Sequence, residues 1–260
     1  MFIEEELKRG LTTKIFGRTL SIYDSLDSTN ACAKTLANKG ADEGTVVIAD
    51  HQTAGRGRFG RTWQAEAGSS VLFSVILRPT LSIDKIGLLP FFAAVGIANA
   101  VETITGLHCE CKWPNDILLR GKKCCGVLLE STSQQCTLDY AIMGIGLNVN
   151  QKIFLGDLAG KATSLRCESG LEFDRRNVFC QILSSLESYY TQVCKEDFNT
   201  VLMEWKARAT IFGKRITLRQ VADSIDGIAV GLSVDGGLVV ETESGRRVFY
   251  AGDVTITQQH

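Results

Sequence analysis

From Ile86 to Val101 the chain runs without one charged side chain. A helix that is apolar around its whole circumference has to be enclosed by other structure or lie in a bilayer. The stretch is shorter than the roughly 20 residues a membrane-spanning helix needs, and it contains Pro90 and Gly96. Proline costs little at the first helical position, so a buried helix starting near Pro90 is expected. The rest of the chain must then supply the layers that enclose it.

Those layers can be read along the 260 residues. Ser28 or Thr29 can cap a helix running through about Lys39, with Gly40 as its stop. Thr45 to Asp50 reads as a short strand. Val71, Phe73, Val75 and Leu77 alternate with Leu72, Ser74, Ile76 and Arg78, as in a strand covered on both faces. Further strands fit Ile117 to Leu119, Gly126 to Glu130 and Tyr140 to Gly146. Asp174 suits an N-cap, and Phe179, Ile182, Leu183, Leu186, Tyr190 and Val193 keep helical spacing after it. A second helix carries Phe198, Val201, Leu202 and Trp205. The texture changes after Phe212. Ile216 and Leu218, then Ile228, Val230, Leu232 and Val234, alternate with other residues, and Asp235-Gly236-Gly237 and Ser244-Gly245 read as tight turns. Short strands over about fifty residues suggest a small SH3-like barrel. The expected fold is α+β, with a large domain over 1–210 and a small all-β domain over 211–260, packed together.

Composition narrows function by exclusion. Hydrophobic residues make up 45% and charged ones 22%, too apolar for a disordered chain. The 28 basic and 29 acidic residues nearly cancel, so the molecule as a whole does not attract nucleic acid. Any anion site must come from local clustering. Nine Cys, an odd number with Cys124 beside Cys125, read poorly as a disulfide framework. The start, Met1-Phe-Ile-Glu-Glu-Glu, is acidic where a signal peptide needs positive charge. A reducing cytoplasm is therefore expected. Cys109, Cys111, Cys124 and Cys125 lack the C-x-x-C spacing of zinc knuckles and are expected to be small buried hydrophobes rather than metal ligands.

Local clustering is found at Gly55-Arg56-Gly57-Arg58-Phe59-Gly60-Arg61-Thr62-Trp63. It matches G-x-G-x-x-G, yet it leads into a strand instead of opening a helix, so a dinucleotide fingerprint is not indicated. Kinase and P-loop signatures are absent. Three arginines without an acid among them repel one another, and glycines raise the entropy of ordering. A bound anion would relieve both, because arginine forks grip carboxylate or phosphate at two points. The alternative is a solvated basic loop tip. Trp63 beside it, a flat stacking surface, favours a mobile loop that orders over a ligand with a ring.

Two more segments are ambiguous alone. Lys112-Trp113-Pro114-Asn115-Asp116, with Lys123 following, places cations, an amide and a carboxylate together, but it also suits an ordinary Asn-Asp turn. Gly144-Ile-Gly146-Leu-Asn148-Val-Asn150 is either a strand end with a bulge or a place where something packs closely on the backbone.

Taken together these segments resemble the biotin protein ligases. The resemblance rests on Asp27-Ser28-Thr29-Asn30, Gln52, Gly55 through Arg61 with Trp63, Lys112 through Asp116, Lys123 with Gly126 through Glu130, Gly144 through Asn150, and Ala162 through Leu165, in the family's order. It implies a catalytic domain like that of class II aminoacyl-tRNA synthetases, a mixed sheet with flanking helices, followed by an SH3-like domain. Only about twenty residues precede the catalytic region, too few for a helix-turn-helix module, so the short form without a DNA-binding domain is expected.

The resemblance also implies chemistry. Biotin's carboxylate attacks the α-phosphate of ATP to give biotinyl-5′-AMP and pyrophosphate. A lysine of a biotin carboxyl carrier protein, as in acetyl-CoA carboxylase, then attacks the mixed anhydride. By position in the motifs, Ser28, Thr29, Asn30, Gln52, Gly55, Arg56, Gly57, Arg58 and Lys123 are expected at biotin, and Arg58, Arg61, Trp63, Lys112, Asn115, Asp116 and Asn148 at the adenylate. Arg58, Lys112, Asp116 and Lys123 are the expected catalytic residues, with Asp116 holding or deprotonating the incoming amine. Mg²⁺ is expected to accompany ATP through phosphates and water, with no protein ligand assigned. No DNA or membrane partner is expected, and an exposed strand edge could pair with the acceptor or with a second copy. The rivals are a lipoate-protein ligase, which uses the same adenylate logic without a ureido group to bind, and a non-enzymatic biotin-responsive regulator.

Overall fold

The structure is a computed structural model that describes residues 1–134, 137–220 and 223–257. Its main sheet contains β1 (Leu20–Leu26), β2 (Val46–Gln52), β3 (Ser70–Leu77), β4 (Cys109–Lys112), β5 (Asp116–Leu119), β6 (Lys122–Gln134) and β7 (Thr137–Asn148), in the order β1-β2-β3-β7-β6-β5-β4. β1 and β2 are parallel and joined by helix α2 (Thr29–Asn38); the other neighbours are antiparallel. A short helix α1 (Glu4–Gly10) precedes them. β1, β4 and α1 were not foreseen. β4 carries Cys109 and Cys111 separated by charged Glu110, a pattern too short to stand out.

One face of the sheet bears Val71, Phe73, Val75 and Leu77 of β3 and Met143, Ile145 and Leu147 of β7, all in the main core. Helices α3 (Leu89–Thr105) and α5 (Arg175–Val193) pack over it, with Phe73 edge-on to Phe179 at 5.3 Å between centroids. α3 is the charge-free stretch. With the preceding turn, Ile83–Thr105 is long and apolar enough to cross a membrane by length and composition, but here it is buried in protein. Gly96 lets α5 approach it, since a Cβ there would sit 3.1 Å from the Leu186 side chain. Each fully buried Phe or Leu of this layer contributes ~1.5–3 kcal/mol.

The opposite face is only partly covered. α2 lays Ala33 and Ala37 on Val47, Ile76, Tyr140 and Ile142. Side chains alternate along a strand, so Ser74 of β3 and Gly144, Gly146 and Asn148 of β7 continue that same face beyond the helix. The functional residues gather there.

After α4 (Leu165–Ser169), α5 and α6 (Asn199–Arg208), the chain forms an antiparallel sheet of β8 (Arg215–Arg219), β9 (Ser224–Leu232), β10 (Leu238–Thr242), β11 (Gly245–Phe249) and β12 (Asp253–Ile256), ordered β11-β10-β9-β8-β12. Ile216 and Leu218 face its core as expected. β9 has the opposite phase: Ile228 and Val230 are exposed, whereas Gly227 and Ala229 turn inward. The cause is crowding, because a Cβ at Gly227 would lie 2.6 Å from Val240 Cγ1. The two sheets are in contact through buried Trp113, whose Nε1 donates to the Gly236 carbonyl at 3.2 Å.

Candidate active site

At the start of α2, Ser28 stands at the N-cap with extended backbone, but its hydroxyl makes no capping bond. The cap comes from another strand: Gln52 Oε1 at the end of β2 accepts the Thr29 N–H at 2.7 Å and lies 3.1 Å from Thr29 Oγ1. Ser74 Oγ is 2.8 Å from Thr29 Oγ1 and 2.6 Å from Asn30 Oδ1. Asn30 Nδ2 donates to Glu130 Oε2 of β6 at 2.6 Å. Thr29, Asn30 and Ser74 are buried. This cluster has room because position 144 is glycine; a Cβ there would fall 2.0 Å from Asn30 Oδ1.

The glycine-arginine segment folds as a hairpin closed on itself. Trp63 N–H donates to the Gly55 carbonyl at 2.9 Å, Gly57 N–H to the Arg61 carbonyl at 2.7 Å, and Arg56 bridges Thr62. Gly55 is required by close approach, since a Cβ would be 2.6 Å from the Trp63 carbonyl oxygen. Main-chain bonds thus define the loop expected to be mobile, and the side chains carry its unspent charge. Phe59 at the tip has φ of 54°, in the left-handed region. A cavity of about 630 Å³ lies between the hairpin and Leu128 and Glu130 of β6. That is within the usual range for a small-molecule site.

Trp63 returns from the hairpin onto the sheet. Its ring lies over two glycines on neighbouring strands: a Cβ at Gly146 would be 2.6 Å from Trp63 Cε2, and one at Gly126 would be 3.0 Å from Cζ3. Lys123 Nζ stands 5.6 Å from the centre of that ring and 2.6 Å from Asp116 Oδ1. Arg58 reaches from the hairpin to Asn115 Oδ1 and the Gly252 carbonyl, each at 3.3 Å. Burial lowers the Arg58 pKa, and Asp253 and Asp116 oppose the shift. Arg61 forms an ion pair with Asp253 of the second sheet. Arg61, Lys112, Asn115, Asp116, Arg219 and Asp253 line a second, smaller cavity of about 160 Å³. Trp63 Nε1 and Asn148 Oδ1 are buried without a hydrogen-bond partner among the described residues, although Asn148 Nδ2 donates to the Thr163 carbonyl.

The structure therefore brings Thr29, Asn30, Gln52, Gly55, Arg58, Trp63, Asn115, Asp116 and Lys123 into one region. Ser28 is buried at the helix start, its N–H donating to Asp27 Oδ1 at 2.6 Å. Arg56 is exposed on the cavity rim with no side-chain partner among the described residues. Sequence reasoning missed the roles of Ser74, Glu130 and Asp253. Ser74 left one faint signal, a hydroxyl flanked by apolar residues in the middle of β3. The four cysteines lie buried as expected; burial raises all four thiol pKa values, Cys111 to about 12.

Comparison with known proteins places these features in a family. Residues 22–148 match the model of the Biotin/lipoate A/B protein ligase family, and residues 211–256 match the Biotin protein ligase C terminal domain. The Bifunctional ligase/repressor BirA of Bacillus subtilis is 37% identical over 255 residues, 97% of this chain and 78% of that protein. The Biotin--[acetyl-CoA-carboxylase] ligase of Mycobacterium tuberculosis is 31% identical, covering 95% of this chain and 94% of that protein. The crystal structure of the Aquifex aeolicus biotin protein ligase with biotin and ATP superposes with a TM-score of 0.79 at 29% identity, over 93% of this chain and all of the other. With both family models matched in order and a relative 37% identical across 97% of its length, the chain belongs to the biotin protein ligases.

Proposed function

We propose that this protein activates biotin with ATP to biotinyl-5′-AMP and transfers the biotinyl group to a lysine of a biotin carboxyl carrier domain. The observation that carries the reading is convergence: a buried neutral hydrogen-bonding cluster at α2 and a cation-rich rim at the hairpin meet across one sheet face. The first suits the ureido ring and the second suits a carboxylate and phosphates.

In the first step two anions must meet. Arg58, Arg61, Lys112 and Lys123 screen their repulsion and stabilise the charge developing at phosphorus. Lys112 has no ion-pair partner among the described residues, so its charge is fully available to the α-phosphate. Trp63 offers its ring to the adenylate, and Trp63 Nε1 and Asn148 Oδ1 offer an unused donor and acceptor. In the second step the incoming amine, with an ordinary pKa near 10.4, must lose a proton before it attacks. Asp116 is already held by Lys123. Its other oxygen is left to face the incoming amine, and we assign Asp116 the holding of that amine. The hairpin covers the mixed anhydride against water.

Mg²⁺ is expected to travel with ATP through phosphate oxygens and water. The described residues contain no cluster of three or more ligating side chains, and no step here depends on a protein-held ion. A reducing cytoplasm suits the described thiols, all of them free. β1, the outermost strand on its side of the sheet, is the proposed edge for a second copy. The test is mass spectrometry of a purified carrier domain after incubation with ATP, biotin and this protein. A biotin-sized mass gain on one lysine is expected; a gain with lipoate instead, or none with either, rejects the assignment.

A further inference from the structure

Two groups that can only accept face the Asn30 amide nitrogen in the buried cluster at α2, the Leu128 carbonyl at a long 3.4 Å and the Glu130 carboxylate much closer. Glu130 Oε2 is 2.6 Å from Asn30 Nδ2, and a carboxylate only accepts. Asn30 must therefore turn its amide nitrogen to Glu130 and its oxygen to Ser74, 2.6 Å away. That oxygen also only accepts, so it takes the single hydroxyl proton of Ser74. Ser74 Oγ lies 2.8 Å from Thr29 Oγ1. With its own proton committed, Ser74 can accept from Thr29 but cannot donate to it. Thr29 Oγ1 thus receives no proton from the network and keeps its lone pairs open. Next to it, Gln52 turns Oε1 to the helix N–H, which leaves its NH₂ group facing away without a partner among the described residues.

The outcome is an acceptor beside a donor, the complement of a cyclic urea edge with its N–H and C=O. Ser74 and Thr29 are buried, and the missing side chain at Gly144 is what admits Asn30 Oδ1 beside them. We infer that Glu130, acting through Asn30 and Ser74, sets the polarity with which the site reads the ureido ring. Glu130 is a positioning residue in this scheme, and the inference rests on biotin being the ligand.

Glu130→Gln supplies a donor where only an acceptor stood. The Asn30 amide can then invert, giving up the long contact of its nitrogen with the Leu128 carbonyl, and the Ser74 proton is released to Thr29 Oγ1, where it occupies one of the two lone pairs. Biotin Kd should rise about tenfold, the effect of losing one hydrogen bond of ordinary net strength. A biotin analogue methylated on the ureido nitrogen that faces Thr29 has no N–H there to lose, so the same substitution should cost it little. The double variant Glu130→Gln with Asn30→Asp restores the original sense, because the glutamine now donates to the introduced carboxylate, which accepts from Ser74. It should recover most of the biotin affinity that either single variant loses. The KM for ATP and the melting midpoint should stay near wild type in Glu130→Gln. Equal losses for biotin and the methylated analogue without recovery in the double variant, or a biotin Kd within twofold of wild type in Glu130→Gln, would overturn the inference while leaving the enzyme a biotin ligase. Wild-type protein that failed to bind biotin would instead overturn the proposed function and this inference with it.

Discussion

The two halves of the site treat polar groups in opposite ways. Under α2, buried Thr29, Asn30 and Ser74 are linked to one another and to the half-buried Glu130 carboxylate in a chain of hydrogen bonds. Around the hairpin, Arg56, Lys112 and Arg219 stand partly solvated with no ion pair among the described residues, and Arg61 leans on a single aspartate. A buried network whose members hold one another while leaving an acceptor and a donor open is rigid and reads shape and hydrogen-bond sense. A set of surplus cations is electrostatically uncomfortable until an anion arrives. The first half is built to select a neutral ring, the second to gather charge.

The sharpest way to break this contrast is to remove a cation and see which ligand notices. Lys112→Ala should slow biotin-dependent pyrophosphate release by about 10²–10³, the scale of losing one preorganised charge at a transition state. Biotin Kd measured by titration calorimetry should hardly change. A collapse of biotin affinity with normal turnover of bound ligand would mean Lys112 belongs to the other half. Arg58→Ala should have the next largest effect. Its guanidinium ties the hairpin to the turn before β5 and to the second sheet, reaching Asn115 and the Gly252 carbonyl. Loss of a hydrogen bond from a charged donor costs ~1.5–3 kcal/mol. Biotin should bind more weakly and the adenylate should escape faster in a trapping assay; unchanged retention would count against the hairpin as a cover.

The neutral half is tested by sterics. Gly144→Ala would place a methyl group 2.0 Å from Asn30 Oδ1. Relief requires Asn30 to move, with an overpacking cost of ~1–3 kcal/mol. Biotin affinity should fall by that amount, while ATP binding in the absence of biotin stays as it was. Equal loss of both would show that the two halves are mechanically one.

This contrast also explains what the sequence could and could not reveal. The hairpin was conspicuous because three arginines and three glycines within a few residues are costly without a reason. The buried helix α3 and the double-covered β3 were readable because burial leaves long apolar runs. Ser74 and Glu130 were not, because their roles come from neighbours 44 and 100 positions away from Asn30 in the chain. The β9 phase was misjudged for a related reason. Pattern reasoning puts Ile228 and Val230 inside, yet packing against Val240 admits only Gly227 and Ala229 there. Asp253, 192 positions from Arg61 in the chain, carried no local sign of their contact.

That contact offers the smallest expected effect and the finest test. The Arg61–Asp253 pair is 65% and 30% exposed at its two side chains, so it contributes at most ~1 kcal/mol. Its interest is its position, since both residues line the smaller cavity with Lys112 and Arg219. Asp253 places a negative charge where the reading above brings phosphates. Asp253→Asn keeps the shape and removes the charge, which should lower the KM for ATP by about two- to fivefold, in line with a pair of that strength. The gain should shrink at high salt, where the carboxylate is already screened. Biotin Kd should not move, because nothing in the α2 cluster touches either residue. A rise in the KM for ATP would mean that Asp253 holds Arg61 in its working position, so that the cation-rich half is as preorganised as the neutral one.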